Sequence, residues 1–96
     1  MVKMDTITDE KLQKYLNITK KGLEGIKIIV KDKELRKKAE DLLDMAQRYF
    51  SDAQYYAKKG DKVTSFAAIN FAHGYLDAGA RLGLFEVKEK SLFTIE

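Results

Sequence analysis

The chain contains no cysteine, no proline and no tryptophan, and it has a single histidine. Without cysteine there is no disulfide framework, no thiolate metal site and no thiol nucleophile, a composition that suits a reducing compartment. One imidazole is a weak basis for a transition-metal site. Long apolar runs are also missing. The least charged stretch, Val63 to Phe85, has Asp77 and Arg81 as its charges but also holds Thr64, Ser65, Asn70, His73 and three glycines. A membrane-spanning helix needs about 20 predominantly apolar residues. The stretch therefore reads as a buried helix of a cytoplasmic protein with no membrane partner. Met1 to Asp5 lacks the basic-then-apolar run of a secretory leader. Gly-rich phosphate loops, HExxH and GxSxG are absent, and with them the geometry those chemistries require.

What is present is charge and helical period. Charged residues make up 34% of the 96 positions and apolar residues 45%. That balance is globular, and the length allows one domain, 1–96. A domain of this size buries roughly 60–65% of its unfolded surface, so the core is thin. Net charge is +3 and uneven: residues 1–62 hold fifteen Lys/Arg against eleven Asp/Glu, residues 63–96 three against four. The basic runs, Lys27 to Lys38 and Lys58 to Lys62, read as solvated helix ends, with a phosphate or nucleic-acid footprint as the second reading.

Three helices account for most of the chain. The first is expected over 9–30, with Thr8 as N-cap and Asp9 and Glu10 in the first turn, where the helix dipole favours anions. Its stripe is Leu12, Leu16, Thr19, Leu23, Ile26 and Val30, spaced 4, 3, 4, 3, 4. Gly22 and Gly25 each cost about 1 kcal/mol relative to Ala in a helix interior, so close packing, fraying or bending is expected there. The second helix is expected over 33–59, capped by Asp32. Its stripe runs Leu35, Ala39, Leu42, Ala46, Tyr49, Ala53 and Tyr56, and its alternation of large and small residues suggests close approach of a neighbour. Asp44 and Arg48 form an i, i+4 pair on the opposite face. The stripe loses phase between Val30 and Leu35, which argues for a turn, although neither Gly nor Pro marks it.

Gly60-Asp61 is a firmer boundary, a left-handed helix stop followed by an N-cap. The third helix then runs over 62–84. It carries two apolar stripes, Phe66-Ile69-His73-Leu76-Ala80 and Ala68-Phe71-Tyr75-Ala78-Leu82-Phe85. Two partner helices cannot cover both, so a homodimer is expected to cover the second through Phe71, Tyr75, Ala78, Leu82 and Phe85. The tail, 85–96, is expected to be extended, with Ser91 to Ile95 packing back on the bundle or on a partner.

The third helix also gathers polar groups. Asn70, Asp77 and Arg81 fall within about 40° of one another at 100° per residue, flanked by His73 and Gly74. Asp77 can pair with Arg81, and His73 can hydrogen-bond Asp77. A catalytic histidine would need a nucleophile. Ser65 is the candidate on this helix, but it lies eight residues away, about 12 Å along the axis. The set reads as a polar network fixing helix register, or as a site for a phosphate-bearing ligand. No catalytic residue, metal ligand or cofactor is assigned. Tyr49, Phe50, Tyr55, Tyr56, Phe66, Phe71 and Tyr75 lie on helical stripes and read as packing rather than as stacking platforms for single-stranded nucleic acid.

The segments Tyr49 to Tyr56, Lys59-Gly60-Asp61 and Ala67 to Phe85, above all His73-Gly74-Tyr75-Leu76-Asp77-Ala78-Gly79-Ala80-Arg81-Leu82-Gly83, resemble the archaeal domain-of-unknown-function 357 family. The resemblance covers the chain from about Leu35 onward. It implies an all-α, up-and-down antiparallel three-helix bundle with a left-handed twist, and no assigned activity. The functional expectation is a homodimeric protein-interaction module without catalytic activity. Its alternative is an accessory domain binding RNA or a phosphate-bearing ligand.

Overall fold

The computed structural model describes residues 7–88. It has three helices and a two-stranded sheet. Helix α1 (Asp9–Glu24) leads into strand β1 (Ile26–Ile28), then come α2 (Lys33–Lys58), α3 (Lys62–Arg81) and strand β2 (Phe85–Val87). The expected three-helix architecture holds, with a small antiparallel clasp added at one end. The expected tail residues 91–95 lie outside the described residues.

All three helix starts are where the sequence marks them. The side chains of Thr8, Asp32 and Asp61 accept hydrogen bonds from the backbone N–H groups of Lys11 (3.1 Å), Leu35 (3.0 Å) and Thr64 (3.1 Å). Each satisfies one of the donors a helix start leaves orphaned. The Thr64 hydroxyl and backbone N–H both bond the Asp61 carboxylate and hold its pKa below the ordinary aspartate value. Two helices also stop in the same way. Gly60 and Gly83 take φ of +81° and +73°, which is open to glycine at no steric cost. Asp61 N–H then reaches back to the Tyr56 carbonyl and Leu84 N–H to the Gly79 carbonyl, each at 3.0 Å, closing orphan acceptors.

The first helix corrects the expectation. It ends at Glu24 rather than at Val30. Gly25 caps it, and the run Ile26-Lys27-Ile28-Ile29-Val30, rich in β-branched side chains, takes an extended path. Ile26 pairs with Val87, Lys27 with Glu86 and Ile28 with Phe85. The ladder alternates correctly: Lys27 and Glu86 stand opposite each other on the exposed face, while Ile28 and Phe85 face inward.

Helices α2 and α3 pack closely because small residues line their contact. Ala39, Ala46 and Ala53, one per heptad of α2, are fully buried, as is Ala72 of α3. The Ser65 hydroxyl donates to the Ala53 carbonyl at 2.6 Å across this contact. Helix α1 lies over one side of the pair. Its Leu12, Tyr15 and Leu16 form a core with Ala53, Ala68 and Ile69. The second core holds Ala39, Ala46, Leu76, Leu84 and Phe85, with Ile26 and Ile28 of the clasp packed against it. Lys62 at the start of α3 pairs with Asp9 at the start of α1 at 3.0 Å. The molecule extends 44 × 26 × 18 Å, with α1 packed against both α2 and α3 and the clasp packed against their far ends.

Candidate functional site

The buried positions of α3 (Ser65, Ala68, Ile69, Ala72, Leu76 and Gly79) fall on one arc of the helix. At 100° per residue the remaining arc divides into three strips. Asn70, Asp77 and Arg81 form the first, Gly74 and Ala78 the second, and Phe71, Leu82 and Tyr75 the third.

The polar strip is split by the fold. Arg81 Nε donates to Asp77 Oδ2 at 2.8 Å, as the i, i+4 spacing predicts. Asn70 is exposed. His73 turns the other way, toward α1, where Nε2 lies 2.6 Å from the hydroxyl oxygen of Thr19. That hydroxyl donates its one proton to the Tyr15 carbonyl at 2.7 Å. It therefore accepts from His73, and the ring carries its proton on Nε2. Nε2 of His73 thus meets a residue 54 positions away in sequence, on another helix. Asp77 and Arg81 meet, and Nε2 of His73 joins α3 to α1.

Two consequences bear on catalysis. With Nε2 donating to Thr19, that nitrogen holds no free lone pair for general-base work. Ser65 is fully buried, and its proton is directed at the Ala53 carbonyl. Nε2 of His73 and the Ser65 hydroxyl are each engaged in a bond within the fold. Among the described residues no three carboxylate or imidazole groups cluster as metal ligands, and no helix is long and apolar enough to cross a membrane.

The Thr19 contact gives a direct prediction. Thr19→Val keeps the volume but removes both the donor to Tyr15 and the acceptor for His73 in a residue with no exposure. A loss of about 1–3 kcal/mol is expected, the range for leaving a buried polar group unsatisfied. Denaturant titration checks it; an unchanged midpoint would show that the bridge contributes nothing.

The apolar strip is the more distinctive feature. Phe71 is 57% exposed and Leu82 69% exposed. Tyr49 of α2 lies beside them, stacked on Phe71 at 5.1 Å and on Tyr75 at 5.8 Å between ring centroids. At the far end of the strip, Leu42, Leu82 and Leu84 line a hollow of about 380 Å³ together with Lys37, Lys38 and Asp41. At 100° per residue Leu42 and Tyr49 of α2 and Phe71, Tyr75 and Leu82 of α3 turn away from Gln54 and His73, the positions that meet α1, and so form the rear face of the α2–α3 pair. Of the residues expected at an interface, Phe71, Tyr75, Ala78 and Leu82 lie on or beside this face. Phe85 does not: it is 1% exposed and sits inside the chain's own core. The helix ends at Arg81, so the helical spacing that placed Phe85 on the strip no longer applies there. Tyr49 and Leu42 were not expected at the site. Their place in the stripe of α2 signals burial but does not say which side of α3 they meet.

A second hollow of about 310 Å³ lies between α1 and α2, lined by Gln13, Leu16, Gln54, Ala57 and Lys58. The Lys58–Lys62 basic spot is partly engaged, since Lys59 lies 5.5 Å over the ring of Tyr55 and Lys62 pairs with Asp9.

A family model described as protein of unknown function (DUF357) matches residues 14–85. No curated protein matches the chain, and no solved structure does.

Proposed function

The chain belongs to the protein-of-unknown-function family DUF357, and on that premise we propose that it is a homodimeric protein-interaction module whose contact surface is the rear face of α2 and α3. The observation that carries the reading is the pair Phe71 and Leu82, large apolar side chains 57% and 69% exposed on one strip. Fully burying such a side chain yields about 1.5–3 kcal/mol. Contiguous exposed apolar surface of this kind marks association sites more often than isolated leucines do. The strip also has the anatomy of an interface: stacked aromatic groups flanked by the Asp77–Arg81 pair and Asn70 as a polar rim. The protein acts without catalysis of its own, in a cytoplasmic setting suited to a cysteine-free chain.

Sedimentation and light scattering test the reading. The expected mass is twice the 11.0 kDa of the chain, and Phe71→Glu is expected to give a monomer with unchanged helicity. A wild type that stays monomeric at high concentration overturns it. The alternative, binding of RNA or a phosphate-bearing ligand, draws less support because Arg81 is already paired with Asp77. Retention on an RNA matrix that falls steeply with salt would favour it.

A further inference from the structure

We infer that the Phe71 ring of each copy seats in the Leu42–Leu82–Leu84 hollow of the other, with the two α3 helices antiparallel. The inference rests on the dimer reading and specifies its register. A twofold interface must be complementary to itself, so each exposed group needs its counterpart on the same surface. The rear strip of α3 meets that condition about one point, between Leu76 and Asp77. Phe71 lies five positions before Leu76, and Leu82 lies five positions after Asp77. Tyr75 lies one before and Ala78 one after. An antiparallel pair centred there sets Phe71 against Leu82 and Tyr75 against Ala78, each twice: a large ring over a small residue near the axis, and a ring over a hollow at each end.

The hollow suits this occupant. Three leucines line it, and its volume of about 380 Å³ lies at the small end of the range for binding pockets. Leu82 is itself exposed at its edge. The projecting group is an aromatic ring held by stacking on Tyr49, so little of its freedom remains to be lost on docking. Gly74 beside the strip has no heavy atom within 4 Å of where a Cβ would stand, which leaves room for a second helix to approach.

Charge complementation reads the register. Phe71→Lys and Leu82→Glu both alter exposed positions, so both chains keep the fold, as circular dichroism verifies. Alone, each is expected to weaken the dimer about 30-fold or more, the scale of an interface anchor. Mixed in equal amounts, they place one lysine against one glutamate and one native Phe71 against one native Leu82. The mixture is expected to recover a dimer tighter than either variant alone, by sedimentation equilibrium. A dimeric wild type whose variants still dimerise alone, or whose mixture gains nothing, overturns the register and leaves the dimer standing. A monomeric wild type overturns both.

Discussion

Gly79→Ala is expected to lower the melting temperature by about 4–8 °C, a net cost near 1 kcal/mol, although it improves the helix propensity of the position. A Cβ at residue 79 would stand 2.0 Å from Phe85 Cζ and within 2.7 Å of both Cε atoms. Real Cβ atoms do not approach that closely, so something must move. Phe85 is 1% exposed, and its strand is paired with Ile28, so the ring cannot swing into solvent without opening the clasp. Overpacking of this kind costs about 1–3 kcal/mol. The gain from replacing glycine in a helix is at most about 1 kcal/mol. The clash therefore wins, and in a domain of this size each kcal/mol moves the midpoint by about 4–8 °C. Gly74→Ala in the same helix is the control. Its Cβ would meet open space within the chain, so in protein dilute enough to be monomeric its midpoint is expected to hold or rise. Equal midpoints for the two variants would show that the Phe85 ring adjusts freely.

Phe85→Ala is expected to be the most damaging single truncation, at about 3–5 kcal/mol. Against a total of roughly 5–14 kcal/mol for a chain of this length, that is a large share. The ring fills the core formed by Ala39, Ala46, Leu76 and Leu84, and it anchors β2. Its loss should loosen the clasp before the helices. The Ile29 amide, which donates to the Leu84 carbonyl at 3.1 Å, should then exchange with solvent faster than amides in the middle of α2. Uniform acceleration throughout would instead mean that clasp and helices open as one unit. The two substitutions also share one space. Gly79→Ala should cost much less in a Phe85→Ala background, a coupling that a double-mutant cycle measures.

The same contact shows where sequence reasoning reaches and where it stops. Helices α2 and α3 were legible because both levels of signal agreed: continuous apolar stripes, and caps at Asp32, Gly60 and Asp61. Each stripe could be read locally, from residues three and four apart. The end of α1 was not legible. Ile26 and Val30 continue its spacing, and what removes them from the helix is a strand near position 86, which nothing within α1 announces. Glycine at 22 and 25 gave the one local hint. The contact of His73 with Thr19 was not legible for the same reason: that hydroxyl comes from another helix, 54 positions away. The apolar rear strip was legible as a surplus: α3 had more apolar faces than two neighbours could cover. Which members of the strip stay exposed was not, because that depends on where the helix ends.

The clasp also bears on the order of assembly. It joins positions 57 to 61 apart, whereas α2 and α3 are separated by Lys59, Gly60 and Asp61 alone. Closing a short loop restricts the chain far less than closing one that encircles two helices. Folding should therefore begin with the α2–α3 hairpin, built from contacts near in sequence, and finish when the two strands meet. Stabilising the strands would then slow unfolding while leaving the folding rate nearly unchanged. The sheet is small in residues, but it acts as the latch whose release begins the return to the open chain.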